Sequence, residues 1–120
     1  MNAIQTLHSF WSGFGLPAYD ETDVPDGATL PYITYEASKD SFGAVLAQAA
    51  SVWYRSPSWT AAIAKEQQIY DFIGRGGRMV ACDEGAFWIK RGEPWAQRMG
   101  DPNDDMIRRI ALNIEIEFLT

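Results

Sequence analysis

The chain reads as an α+β protein, a mainly antiparallel sheet of about 4–5 strands with two helices packed on one face. Three observations carry this. Residues 2–13 and 57–73 space their apolar side chains by three and four, the period of an amphipathic helix. The C-terminal segment alternates apolar and polar residues, the period of a half-buried strand. Most connections are hairpin-length, and no regular βαβ alternation appears. The expected order is α-β-β-α-β-β-β, in a single domain spanning 1–120.

The first helix is expected over residues 2–13, with Ile4, Leu7, Phe10, Trp11 and Phe14 on its apolar face, Asn2 as its cap, and Gly13 and Gly15 at its end. Leu16 to Asp20 reads as a short extended piece. Pro25-Asp26-Gly27 is a turn: Pro presets φ, Asp bonds nearby backbone, and Gly tolerates positive φ. Pro31 then biases Leu30 to the extended region and leads into a strand over 32–37. After a turn at 38–43, residues 44–55 form its hairpin partner; the Ala-rich first half also allows helix, while Val52-Trp53-Tyr54 is strand-like.

The second helix is expected over 57–73, with Ser56 as N-cap and Pro57 at its first position. Trp59, Ala62, Ile63, Ile69, Tyr70 and Ile73 form its apolar stripe, and Gly74 stands where a left-handed terminal residue belongs. Two short strands, 78–82 and 86–91, are joined by Asp83-Glu84-Gly85. Residues 92–105 read as a loop. The last strand runs from 106 to 119, with Ile110, Leu112, Ile114, Ile116 and Phe118 on its buried face.

A net charge of −6 supplies no basic stripe of the kind that neutralises phosphates, so neither sequence-specific nucleic-acid binding nor attachment to an anionic membrane is expected. A local positive patch at Arg98, Arg108 and Arg109 stays open. A single cysteine, Cys82, allows neither an intrachain disulfide nor a paired-cysteine metal site. The N-terminal residues lack the basic-then-apolar pattern of a signal peptide, and no apolar run approaches about 18 residues. Synthesis in the cytoplasm is expected. Most of the five Trp residues are expected in the core.

Catalytic and metal constellations fail one by one. His8 has no second His or Cys nearby in the sequence. Asp101, Asn103 and Asp105 begin like a calcium loop, but Met106 and Leu112 stand where Gly and Glu belong. The glycines of residues 74–78 follow a helix C-terminus, where the dipole disfavours anions. The serines sit in no nucleophile elbow. No catalytic residue, cofactor or metal is expected. Trp95, Arg98 and Met99 are of the types enriched at protein interfaces and lie in the expected loop. The strand Ile33–Tyr35 or the strand 106–119 is a candidate exposed edge for pairing with another chain.

Four pieces together resemble the small tail-terminator, or tail-completion, proteins of long-tailed bacteriophages, also labelled minor capsid or minor tail proteins. They are the first helix followed by Gly15-Leu16-Pro17-Ala18-Tyr19, the stretch from Val24-Pro25-Asp26 through Leu30-Pro31-Tyr32-Ile33, the Ser56-Pro57-Ser58 entry to the second helix, and Asp104-Asp105 leading through Arg108-Arg109-Ile110 into the last strand. The match covers nearly the whole chain, and its ends look closest to versions from prophages of gut Firmicutes.

The resemblance implies a ring, typically six-fold, at the head-proximal end of the virion tail. It stops tube polymerisation and gives the face to which the head joins, without cofactor or chemistry. Its partners are further copies of itself, the major tail tube protein and head–tail connector proteins. A ring needs two different patches per subunit. Residues 92–105, with Trp95, Arg98 and Met99, are expected to form one. Arg108 and Arg109 are expected to face acidic residues of the neighbour. The acidic balance suits a conduit that does not hold passing DNA. A head-completion or neck connector protein, and a monomeric non-phage α+β module using its Trp-rich loop as a ligand site, are the competing readings.

Overall fold

The computed structural model describes residues 1–119. Asn2 opens α1 (Ala3–Ser12) with a reciprocal capping box: the Gln5 N–H donates to Asn2 Oδ1 at 2.8 Å, and the Asn2 N–H donates to Gln5 Oε1 at 3.0 Å. Leu7 and Trp11 face inward from the helix. The extended piece that follows pairs as a strand, β1 (Ala18–Asp20). The turn forms where expected, with the Ala28 N–H donating to the Pro25 carbonyl at 3.0 Å. Gly27 adopts no positive φ there. β2 (Tyr32–Tyr35) ends two residues earlier than expected.

The Ala-rich segment is strand throughout, as β3 (Val45–Arg55). Its helical propensity is overridden because it pairs on both sides: Tyr35 opposes Ala50, and Leu112 opposes the same residue from the other side. α2 (Thr60–Ile73) starts three residues later than expected. Pro57 lies outside it, in a chain of side-chain turns. Ser56 Oγ accepts from the Ser58 N–H at 3.2 Å, and Ser58 Oγ accepts from the Thr60 N–H at 3.1 Å. Trp59 therefore takes the cap position, without a side-chain cap bond. Gly74 closes the helix at φ 78 and ψ 171, a positive φ but not the left-handed helical conformation expected.

β4 (Arg78–Cys82) and β5 (Gly85–Met99) form a hairpin. β6 (Ile107–Leu119) is the alternating final strand. The expected loop at 92–105 is corrected here: its first eight residues belong to β5. β5 pairs with β6 up to Arg91, slips, and resumes at Ala96 opposite Leu112. Gly92 and Pro94 make the irregularity. A Cβ on Gly92 would lie 2.9 Å from the Asn113 carbonyl oxygen, and Pro94 has no N–H to give to the ladder. The two residues mark a bulge and not an ending.

The sheet has six strands in the order β1-β2-β3-β6-β5-β4. β1 and β2 are parallel, and the other pairs are antiparallel. The fold is thus α+β with two helices, as expected, but its sheet is mixed and gains β1 as a full member. β2 and β6 are both interior, which corrects their reading as exposed edges; the edges are β1 and β4.

Period-two alternation gives the sheet two unlike faces. Ile33, Val52, Ile89, Leu112, Ile114 and Ile116 are buried on the face that receives the helices. α2 lies over β3, β6 and β5, burying Ala62, Ile69 and Ile73, while Ile63 stays 36% exposed. α1 spans the curl of the sheet. The N-terminal ammonium meets Asp83 at 2.9 Å beside the β4–β5 turn, and His8 Nδ1 lies 2.7 Å from the Tyr35 hydroxyl on β2. Of the tryptophans, Trp11 is fully buried, Trp59 and Trp95 are half-buried and packed against the core, and Trp53 and Trp88 are half-buried elsewhere.

Candidate subunit interface

Trp95, Arg98, Met99, Arg108 and Arg109 do not form one patch. The strand register divides them between the two faces. Arg98 opposes Ile110, whose side chain is buried under α2, so Arg98 stands on the helix face. Arg108, two residues before Ile110, stands on the same face. Met99 and Arg109 oppose each other and point to the face without helices.

On the helix face, Trp59 is the centre. The Arg98 guanidinium carbon lies 5.2 Å from its ring centroid, and that of Arg108 lies 5.4 Å away. Arg108 is also held by the backbone. Its Nη1 donates to the Asp105 carbonyl at 2.7 Å and its Nη2 to the Pro57 carbonyl at 3.1 Å, while its Nε is buried without a partner. Arg98 is exposed. Beside it runs a groove of about 180 Å³ between α2 and β5, lined by Ile63, Glu66, Ala96, Gln97, Arg98 and Ile110.

Trp95 is committed inward. Its indole Nε1 donates to Glu66 Oε1 at 2.6 Å, and its ring meets Tyr70 edge-on with centroids 5.8 Å apart. The Arg91 guanidinium covers the same Tyr70 ring at 3.8 Å. The irregular backbone at 92–95 is thus tied to α2 by an indole, and to β6 by Asn113, whose Nδ2 donates to the Pro94 carbonyl.

On the open face, Arg109 lies 4.5 Å over the Trp53 ring, and its Nε donates to Ser51 Oγ at 3.1 Å. Trp53 Nε1 donates to Thr34 Oγ1 at 2.9 Å. An aromatic row continues from Trp53 to Tyr32 and Tyr19, with centroids 6.3 Å and 5.5 Å apart. Met99, 38% exposed, stands beside this row at the Arg109 end.

The acidic segment after β5 is a built turn. Met106 N–H donates to Asp104 Oδ1 at 2.9 Å, and Arg55 Nε donates to Asp104 Oδ2 at 3.0 Å. The Met106 amide, then the Arg55 guanidinium, hold the Asp104 carboxyl below the usual carboxylate range. Burial, then the Asp20 charge, raises the Tyr35 hydroxyl. The 74–78 stretch is a helix ending. Arg78 Nε donates to the Phe72 carbonyl at 2.9 Å, capping α2 with a cation. Among the described residues, no group of three or more His, Cys, Asp and Glu is arranged to hold a metal ion.

Sequence reading missed Trp59 and Trp53, the rings on which the arginines rest. Trp53 faces Arg109 only through the β3–β6 register, which spacing within either strand does not give. Trp59 gave no signal either, because it was assigned to the buried stripe of α2. No protein-family model matches the chain, and no characterised protein or solved structure matches it at a significant level.

Proposed function

We propose that the chain is a structural protein of a phage virion, capping the tail tube as a ring that ends tail polymerisation and forms the head-joining surface. It acts at the head-proximal end of the tail after synthesis in the host cytoplasm. Its partners are further copies of itself, in a six-fold ring, the major tail tube protein and head–tail connector proteins.

One observation carries this reading: the resemblance runs in order through almost the whole chain. Its segments fall in turn on α1 and β1, on the Pro25 turn and β2, on the entry to α2, and on the start of β6. They therefore touch both helices and the sheet from its β1 edge to its centre. The arginine and aromatic surfaces on the two faces are of a kind suited to repeated protein contacts.

The test is mass in solution by light scattering over a range of concentrations, negative-stain imaging, and addition of purified tail tubes. A closed ring that binds tube ends is the expected result. A strict monomer that leaves tube ends bare overturns the reading. A ring that binds portal or adaptor rings and ignores tubes replaces it with a neck connector.

A further inference from the structure

We infer that the Arg98–Trp59–Arg108 cluster is the receptor for a carboxylate-bearing turn of a second copy of this chain, the segment Glu21 to Asp26. The inference rests on the ring reading and names the two patches that such a ring joins.

The chain segregates its charges. Residues 1–38 hold five carboxylates, at positions 20, 21, 23, 26 and 36, and no Lys or Arg. Glu21, Asp23 and Asp26 are exposed. Among the described residues none of the three makes an ion pair, and neither Arg98 nor Arg108 does. The two guanidinium groups lie near the Trp59 ring instead, 5.2 Å and 5.4 Å from its centroid, in a chain with a net charge of −6. The exposed Arg98 guanidinium, beside the Trp59 ring, offers its N–H groups to a carboxylate, and Arg108, already bonded to two carbonyls, adds positive charge behind it. The groove beside Arg98 has an apolar floor at Ile63, Ala96 and Ile110. It suits the apolar residues that flank the carboxylates, Val24 and Pro25.

Topology places the two patches apart on one subunit. The acidic turn springs from β1, one edge of the sheet. β4 pairs with β5 only over Gly85 to Ile89, so at Arg98 it is β5 that forms the other edge. β2, β3 and β6 lie between, about 15–20 Å of sheet. A turn on one edge cannot reach the groove at the other edge of its own chain. It reaches that of a neighbour, and the contact is head-to-tail, the geometry that closes a ring.

The experiment is a charge swap in the full chain, followed by light scattering. One variant carries Arg98→Glu, an exposed position whose change spares the backbone bonds of Arg108. The other carries Glu21→Lys, Asp23→Lys and Asp26→Lys. Circular dichroism confirms that each is folded. Each alone is expected to raise the concentration needed for assembly by about tenfold or more. Mixed in equal amounts, the two are expected to recover assembly. The carboxylate introduced by Arg98→Glu then meets lysine turns, and native arginine faces meet native acidic turns. If both variants assemble like the native chain, or the mixture recovers nothing, this inference falls and the ring reading stands. A native chain that stays monomeric at every concentration overturns this inference, and the ring reading falls with it only if that chain also leaves tail-tube ends bare.

Discussion

Arg108 and Arg109, neighbours in the chain, stand on opposite faces of the sheet: one reaches toward Trp59 beside α2, the other lies over Trp53 on the face without helices. They cannot serve one contact together. Arg108 is fixed by two carbonyls before any partner arrives. Arg109 is fixed by a hydroxyl and a ring. Used together in an assembly, they would belong to two surfaces.

Arg109→Ala is expected to destabilise the fold by about 1–2 kcal/mol, because it removes the donor to Ser51 Oγ and uncovers Trp53. Ser51 is only 3% exposed, so water replaces that donor poorly. Urea unfolding followed by Trp fluorescence measures the change. Arg98→Ala, at an exposed site with one ring contact, is expected to cost less than about 0.5 kcal/mol. Equal costs would show that the open-face bond contributes nothing.

Trp95→Phe separates the indole bond from ring packing. Phe keeps an edge toward Tyr70 but gives Glu66 no donor. A loss of about 1–2 kcal/mol is expected, since the acceptor is a carboxylate and the site half-exposed. Trp95→Ala is expected to lose more, and to free the bulge at 92–95 so that its amides exchange faster than those of Ala96 to Met99. Hydrogen exchange reads this directly. Uniform exchange along β5 in Trp95→Ala would mean that the bulge needs no tie to α2.

Both helices, the turn at Pro25 and the alternating face of β6 were legible in the sequence because each is set by local chemistry: a cap, a proline, a period. β5 was misread past Arg91 for a physical reason. Gly-Glu-Pro looks like an ending, and only the partner strand shows that pairing resumes at Ala96. β1 was read as extended, but its membership of the sheet depends on a parallel partner across an eleven-residue connection between Asp20 and Tyr32, which no local pattern encodes. The site residues were legible as types and not as a patch. Sequence adjacency suggested that Arg108 and Arg109 act together, whereas strand geometry separates them.

Acid is expected to weaken the anchor of β6. The Asp104 carboxylate accepts from the Met106 amide and from Arg55, and its folded pKa lies below its unfolded value. A depressed folded pKa contributes stability that is present above the unfolded pKa, about 3.9, and is lost as pH falls through the folded value. Glu84 acts in the same direction, chiefly through its bond to Lys39, then through the Lys39 charge and the Ala3 amide. Urea midpoints taken from about pH 5 to about pH 2.5 should fall, and Asp104→Asn should flatten part of that fall. An unchanged slope in Asp104→Asn would remove Asp104 as a source.

Gly92 and Gly27 give opposite expectations for the same substitution. Gly92 is buried against β6, where a new Cβ would meet the Asn113 carbonyl oxygen at 2.9 Å and the Asn113 carbonyl carbon at 3.0 Å. Those are backbone atoms and do not rotate away, so the strands must part. Gly92→Ala is expected to cost about 1–3 kcal/mol. Gly27 has nothing within 4 Å of a new Cβ and no positive φ. Gly27→Ala narrows the unfolded ensemble without straining the turn, so a gain of about 0.4–1 kcal/mol is expected. Thermal or urea unfolding of both variants checks the pair. A loss at Gly27 would show that its turn uses glycine for more than backbone freedom, and a neutral Gly92→Ala would show that the bulge has room to shift.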